Sequence, residues 1–255
     1  MELLTTSVER KIKSAIPNNL KKLLIFLLTM SFWGKLIKIS GIRNNLFGGI
    51  YDYSLVTDKQ AAKIFWGFWE SAEIRFSKRF AKNKIIIELG SSIGVTLGVL
   101  SNILKDTTFI CIEASLINFK KLQLLEEKLN KNNNYILVNK AIAYGVNKVD
   151  FITSENIIGS KINKTEKKSD TIGTTTLRKI LKENNLNENF TLITDIEGAE
   201  ADIFFKDGNS LSLCSQIIAE LENTSSYSIE EQVTKLLSYG FKIKERYGNV
   251  FVFIK

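Results

Sequence analysis

Short apolar runs alternate with longer segments of mixed polarity from residue 84 to the end of the chain. Runs rich in Ile, Val, Leu and Phe predict buried strands, whereas apolar residues spaced by three and four predict helices. The strands predicted in this way are 84–89, 108–113, 135–138, 149–153, 190–195, 216–220, 241–246 and 250–254. The helices predicted between them are 94–104, 115–131, 176–185, 199–205 and 229–239.

This alternation predicts the fold class. Successive βα units give parallel strands with helices on both faces of the sheet. Tyr247-Gly248-Asn249 joins the last two strands and is a hairpin signal, so the sheet should end in an antiparallel pair. We therefore expect an α/β fold with a doubly wound, Rossmann-like, seven-stranded sheet. Ligands of such sheets bind at the carboxyl ends of the strands, and these ends fall at 88–94, 113, 139, 195 and 220–223.

The absence of histidine and the low number of cysteines exclude several kinds of catalytic and metal site. The chain has no histidine, which excludes a Ser-His-Asp triad, histidine-liganded zinc and a histidine general base. Its two cysteines, Cys111 and Cys214, each sit in an apolar run and are expected to be buried free thiols. Because no disulfide framework is present, we expect a cytoplasmic location.

The positive charge is concentrated in an N-terminal arm. Residues 1–50 hold eight basic and two acidic side chains, and so carry +6 of the net charge of +8. Within them, 23–34 is a twelve-residue apolar stretch, too short for a membrane span. It is either a helix packed on the domain or a basic interfacial helix that makes peripheral membrane contact through residues 1–40. We expect a helical arm over 1–50 and one domain over 51–255.

The first predicted strand runs into a glycine-rich loop, Glu88-Leu89-Gly90-Ser91-Ser92-Ile93-Gly94. Gly90 allows a sharp turn close to a ligand, and Gly94 allows the next helix to start near the sheet. Glu88 can accept hydrogen bonds from an amine. Glu113 ends the second strand, where an acid can accept hydrogen bonds from both hydroxyls of a ribose. Together these residues indicate a site for a nucleoside with an amino-acid end.

Other interpretations of the loop use the same residues. A turn of this kind occurs in many α/β proteins without a ligand. As a dinucleotide loop it has Ser92 and Val95 where glycines are expected. As the nucleophile elbow of a hydrolase it would make Ser92 the nucleophile, but that chemistry needs a histidine.

The second group of candidate residues is Asp195-Ile196-Glu197-Gly198-Ala199-Glu200, which leaves the fourth long strand. That strand lies beside the first in the expected topology, so Asp195 should face the same site. Glu197 and Glu200 are either functional or cap the following helix.

Five segments in this order resemble the FkbM-type methyltransferases. They are ELGSSIG (88–94), IEAS with NFKKL (112–122), NKAIAYG (139–145), TTTLRKIL (174–181) and TDIEGAEADIF (194–204). The resemblance spans about residues 66–253 and implies S-adenosylmethionine as cofactor and O-methylation of a sugar, glycan or other small molecule. The cofactor-binding residues that it implies are Glu88, Gly90, Ser91, Ser92, Gly94, Glu113, Ala114, Ala141 and Asp195. The candidate catalytic residues, from their position after the fourth long strand, are Asp195 and Glu197.

Members of that family often carry a histidine after the fifth-strand acid, whereas here Glu220 is followed by Leu221-Glu222-Asn223. The proton acceptor is therefore open. One hypothesis is a Mg²⁺ site formed by Asp195, Glu222 and Asn223. The others are Asp195 alone, or another base with Glu197 first.

Two further hypotheses concern the methyl acceptor and whether the protein is catalytic at all. A nucleic-acid or protein methyltransferase uses the same fold, but the Pro-Pro-aromatic motif of many amino-methylating enzymes is absent, since Pro17 is the only proline. We expect no nucleic-acid partner. A non-catalytic module that binds S-adenosylmethionine is the third alternative. Loops after Asn139 and over 152–162 are expected to shape the acceptor pocket, while the sequence leaves the oligomeric state open.

Overall fold

The computed structural model describes residues 17–152 and 169–255. The chain divides into two compact units, which are described separately. The helical unit comprises 17–46 and Tyr51–Trp69 of the described chain, and the sheet unit comprises Phe47–Ile50 and Glu70–Lys255. The helical unit thus continues past residue 50, where the charge distribution places the end of the basic arm.

The sheet unit is built around seven strands in the order β3-β2-β1-β7-β8-β10-β9. The first five of these are parallel, and β10 pairs antiparallel with both β8 and β9. The strands are β1 (Ile85–Leu89), β2 (Thr108–Ile112), β3 (Asn134–Val138), β7 (Phe190–Thr194), β8 (Cys214–Glu220), β9 (Lys242–Tyr247) and β10 (Val250–Ile254).

This strand order confirms the predicted fold class, a doubly wound, Rossmann-like, seven-stranded sheet of the class I methyltransferase type. Every residue of β1 and β7 is buried, so both faces of the sheet centre are covered. Cys111 and Cys214 are buried free thiols in this core, as predicted.

Apart from the first, for which the sequence pattern predicts no helix, the helices of this unit lie close to the predicted ranges. They are α4 (Ser71–Phe80), α5 (Val95–Ile103), α6 (Leu116–Glu126), α7 (Leu177–Glu183), α8 (Glu200–Lys206) and α9 (Ile229–Ser238). The helix predicted to reach residue 131 ends at Glu126, because the amides of Lys128 and Leu129 bond to carbonyls three residues back and tighten the chain into a turn. Thr176 caps α7 by accepting a hydrogen bond from the Lys179 amide at 3.2 Å.

A second, three-stranded sheet contains β4 (Ala141–Ile142), β6 (Ser169–Thr175) and β5 (Lys148–Ile152) in that order. The short extra strand predicted over 149–153 corresponds to β5. Its antiparallel partner β6 was not predicted, because Ser169–Thr175 has one large apolar residue among polar ones. The predicted acceptor loop over 152–162 falls almost entirely outside the described residues.

The helical unit holds α1 (Asn18–Leu28), α2 (Ser31–Ser40) and α3 (Asp58–Phe65). The last two pack closely, since a Cβ on Gly34 would lie 1.6 Å from the Asp58 carbonyl oxygen. Among the described residues no single helix is long and apolar enough to cross a membrane. The pair Asn19–Leu28 and Ser31–Ser40, bent by 43°, meets the length and composition requirements only when taken together.

A buried asparagine joins α5, β2 and β3 at the amino end of the sheet. Asn133 accepts a hydrogen bond from the Thr107 amide at 3.0 Å and donates to the carbonyls of Ser101 and Leu104 at 3.0 and 3.1 Å. Asn133→Ala leaves these three buried groups without their partner, so we expect it to lower the free energy of unfolding by about 2–3 kcal/mol.

Urea denaturation measures this loss, with Asn132→Ala at the exposed neighbouring position as control. The control should change the free energy of unfolding by less than about 0.5 kcal/mol. Equal effects of the two substitutions would contradict the structural role of Asn133.

Candidate functional site

Backbone hydrogen bonds tie three strand ends together at the carboxyl edge of the main sheet. The amides of Gly90 and Ser91 both donate to the Ile112 carbonyl, at 2.9 and 3.0 Å. The Asp195 amide donates to the Leu89 carbonyl at 3.1 Å. The loop after β1 is therefore held between the ends of β2 and β7, where the sequence places the candidate site.

The two glycines of this loop are required by its geometry. Gly90 has φ +81°, and a Cβ there would lie 2.0 Å from the Asp195 carbonyl oxygen. Gly94 has φ +80°, and a Cβ there would lie 2.7 Å from side-chain carbons of both Leu122 and Leu125. Gly90 thus permits the close approach of β1 and β7, and Gly94 permits α6 to pack against the loop.

Glu113 holds the loop from the end of β2. Its carboxylate accepts hydrogen bonds from the Ser92 amide at 2.8 Å and from the Ser115 amide at 2.7 Å. Ser92 has φ +49°, a backbone conformation that non-glycine residues seldom adopt. Burial raises the pKa of Glu113, and the hydrogen bonds from the Ser115 and Ser92 amides oppose that shift.

Glu88 is a buried carboxyl group on β1, and its residue is 6% exposed. Burial raises its pKa to about 8, and the Glu113 charge adds to this shift. The Cys111 thiol donates to its Oε2 at 3.6 Å, within the longer range of hydrogen bonds that involve sulfur.

Asp195 lies directly after β7 and is the centre of a second group of acids. Burial raises its pKa to about 7, and the charges of Glu220, Glu197 and Glu222 raise it further. Glu220 ends β8, and burial together with Glu73 raises its pKa to about 7. Burial also raises the pKa of Glu73, and the Glu73 charge raises the pKa of Glu220.

A small cavity joins the two groups of acids. Its space is about 10 Å³, enough for about one water molecule. Acidic side chains dominate its wall, which consists of Glu70, Glu73, Glu88, Leu89, Gly90, Thr96, Ile193 and Asp195. Sequence analysis missed Glu70 and Glu73. Both lie at or beside the start of α4, in a part of the chain to which the apolar pattern assigned no element.

The loop between β7 and α8 is shaped by Glu200. This buried carboxylate accepts hydrogen bonds from the amides of Ile196 and Gly198. Glu197 has φ +55° and its residue is exposed. Glu200 therefore holds the loop before α8, and no side chain caps that helix. Glu197 lies at the rim of the site.

The two remaining predicted cofactor residues, Ala114 and Ala141, lie after β2 and in β4 of the smaller sheet. The Asn139 side chain donates to the carbonyls of Glu113 and Ala114 at 2.8 and 3.1 Å, which fixes the chain after β2. Ala141 is buried in the three-stranded sheet, where it pairs with Thr174 on β6. Ala114 is thus part of the Glu113 turn, and Ala141 belongs to the smaller sheet.

The structure does not support the proposed magnesium set. The Asn223 Oδ1 atom accepts a hydrogen bond from the Ile229 amide at 2.9 Å and so holds the start of α9. Within the part of the chain that the structure describes, no group of three or more Asp, Glu or Cys side chains is arranged to hold a metal ion. These observations give no support to Asp195, Glu222 and Asn223 as magnesium ligands. Glu222 adjoins Asp195 as a further negative charge.

The charge of the site suits a cationic nucleoside. S-adenosylmethionine carries two positive groups, a sulfonium and an ammonium. The site is acidic, and neighbouring acids raise the pKa values of Glu88, Asp195 and Glu220. Among the described residues no lysine or arginine contributes to these shifts.

No family model matches the sequence, and no curated protein matches it. Several solved structures resemble this chain in part. Fibrillarin of Aeropyrum pernix with natively bound S-adenosyl-L-methionine is 14% identical, with 72% of this chain and 73% of that chain covered and a TM-score of 0.41. Precorrin-6y C5,15-methyltransferase of Geobacter metallireducens is 12% identical, with coverages of 73% and 89% and a TM-score of 0.41. The fold assignment rests on the strand order itself.

The protonated state of Glu88 makes stability depend on pH. The folded protein keeps the Glu88 proton up to about pH 8, while the unfolded chain releases it near pH 4.5. The unfolded state therefore binds fewer protons between these values, and the free energy of unfolding falls as pH rises through this window. Between about pH 5.5 and 7.5, we expect the free energy of unfolding to fall by about 2 kcal/mol less in Glu88→Gln than in the native chain.

Urea denaturation at several pH values compares the native chain with Glu88→Gln and with Glu230→Gln, an exposed position on α9. The Glu230→Gln curve should run parallel to the native one. A Glu88→Gln curve that is also parallel would show that Glu88 is ionised in the folded protein.

Proposed function

We propose that this protein is an S-adenosylmethionine-dependent methyltransferase that transfers the methyl group to a hydroxyl of a sugar, glycan or other small molecule. The observation that carries the proposal is the position of Glu88, Glu113 and Asp195. These acids lie at the carboxyl ends of three adjacent strands, around one glycine-rich loop, and no basic side chain contributes to the pKa shifts resolved for them. When bound, S-adenosylmethionine would supply a methyl carbon that a hydroxyl oxygen can attack in line while the sulfur leaves as a neutral thioether.

Each acid has a separate role in this proposal. Glu113 accepts hydrogen bonds from the ribose hydroxyls while it continues to hold the Ser92 amide, since a carboxylate has about four acceptor positions. Glu88 accepts from the amino group. Asp195 takes the proton from the acceptor hydroxyl, because a group with a pKa of about 7 is well matched to a general base at neutral pH. Glu197, at the rim, is the second candidate for contact with the acceptor.

The cofactor assignment is tested at Glu113. Glu113→Ala removes a charged hydrogen-bond acceptor worth about 1.5–3 kcal/mol, so the affinity for S-adenosylmethionine should fall about tenfold or more. Titration calorimetry measures the affinity. Glu183→Ala, an exposed acid on α7, is the control and should leave it unchanged. Circular dichroism shows whether the loop substitution preserves the fold. Unchanged binding by folded Glu113→Ala would reject the ribose assignment.

The base assignment is tested by a pH profile. The value of kcat/KM should rise with pH and level off above about pH 8, because Asp195 must lose its proton to act as a base. Asp195→Asn should lower kcat/KM by about 10² to 10⁴ and remove the rise. The control is Asp106→Asn in an exposed turn, where φ is +53° and asparagine is well accommodated. A fully active Asp195→Asn would reject the role.

The acceptor class is tested with methyl-labelled S-adenosylmethionine and fractionated cell extracts. Label in small molecules or glycans, as an alkali-stable ether, supports the proposal. Label in nucleic acid or protein would favour the corresponding alternative. Cofactor binding without transfer to any fraction would favour a non-catalytic module.

A further inference from the structure

The helical unit exposes large apolar side chains along two successive helices. In α1, Leu23, Leu24, Ile25, Phe26 and Leu27 follow one another and are each 41–65% exposed. Five consecutive residues cover the full circumference of a helix, so this part of α1 is apolar on every side. A helix that is apolar all round belongs in an apolar environment.

The second helix continues the same surface. Phe32 is 62% exposed and Ile39 is 74% exposed, with Leu36 between them at 43%. We call residues 20–46 of α1, α2 and the following turn the apolar surface. More than half of the large apolar side chains exposed in the described chain lie on it, and such a concentration marks an interaction site.

The charge of this segment identifies the partner. Residues 17–46 contain no acidic side chain and five basic ones, which are Lys21, Lys22, Lys35, Lys38 and Arg43. Lys38 pairs with Asp58 of α3 at 2.8 Å, and the others remain as positive charge on the segment. A second copy of the chain would bring a surface of the same sign against this one, whereas anionic lipid headgroups carry the opposite sign.

The lengths of the helices fit a position in the membrane interface. Helices of eleven and ten residues are about 16 and 15 Å long, roughly half the thickness of the hydrocarbon core. Between them, the Thr29 hydroxyl donates to the Ile25 carbonyl at 2.7 Å and closes α1. Neither helix alone spans the hydrocarbon core, and Lys21, Lys22 and Lys35 flank the apolar residues, as expected for a segment that enters one leaflet and keeps its charges at the headgroups.

We propose that the apolar surface docks the protein on a bilayer that carries anionic headgroups. The side chains of α1 and α2 enter the acyl boundary, and Lys21, Lys22, Lys35 and Arg43 contact the headgroups. The surface lies within the helical unit, and none of the candidate cofactor residues belongs to it.

Flotation of the full chain with vesicles tests the proposal. We expect binding to vesicles of phosphatidylcholine with about one third phosphatidylserine, and loss of most of this binding in high salt. Lys21→Ala with Lys22→Ala should weaken partitioning about 30-fold at low salt, from about 1 kcal/mol for each lysine. Phe26→Ser should weaken it at least about tenfold.

Matched variants in the sheet unit control for charge and apolarity. Lys242→Ala with Lys244→Ala removes two exposed lysines from β9, and Tyr247→Ser removes an aromatic side chain that is 62% exposed, against 65% for Phe26. Both should partition as the native chain does. Equal urea midpoints of all variants show that none acts through unfolding.

Four results would overturn the proposal. The first is no flotation with anionic vesicles, and the second is equal binding to pure phosphatidylcholine at any salt. The third is retention after alkaline carbonate extraction, which indicates a spanning segment. The fourth is self-association that Phe26→Ser abolishes while vesicle binding is unaffected, which assigns the surface to a second copy.

Discussion

The sheet unit depends on a costly arrangement, the crowding of carboxyl groups at one edge of its main sheet. Parallel β1, β7 and β8 are neighbours, and this brings Glu88, Asp195 and Glu220 together. Removing a carboxylate from water is unfavourable, and each further acid nearby adds repulsion. Gly90 tightens the arrangement by letting the Asp195 backbone approach closely. Such an edge is stable when its acids keep their protons or when a cation joins them.

The elements of the main sheet could be predicted because their burial leaves a simple pattern. Runs such as Ile85–Leu89 are mainly apolar and buried on both faces, and short turns separate them from amphipathic helices. The pattern fails where burial is partial. Ser169–Thr175 forms a strand through its antiparallel partner Lys148–Ile152 rather than through its own apolar content, and α4 precedes the first strand from which the alternation could be followed.

The candidate site was predictable to the extent that the topology determines it. Acids that end parallel strands meet at one edge, so Glu88, Glu113 and Asp195 could be grouped from the sequence. Glu73 could not, because a helix outside the strand alternation brings it to Glu220. The two hydrogen bonds that Glu113 accepts from backbone amides also could not be predicted from the sequence. The Ser92 amide reaches Glu113 from a residue with positive φ, a conformation that no residue preference indicated.

The same crowding explains how a chain without histidine obtains groups that titrate near neutrality. No other common side chain has an ordinary pKa close to 7. Burial and mutual repulsion raise the pKa values of Asp195 and Glu220 to about 7 and that of Glu88 to about 8. A positive ligand would lower all three values, so binding and ionisation favour each other. A cationic cofactor would therefore help to generate the ionised form of Asp195 that removal of a hydroxyl proton requires.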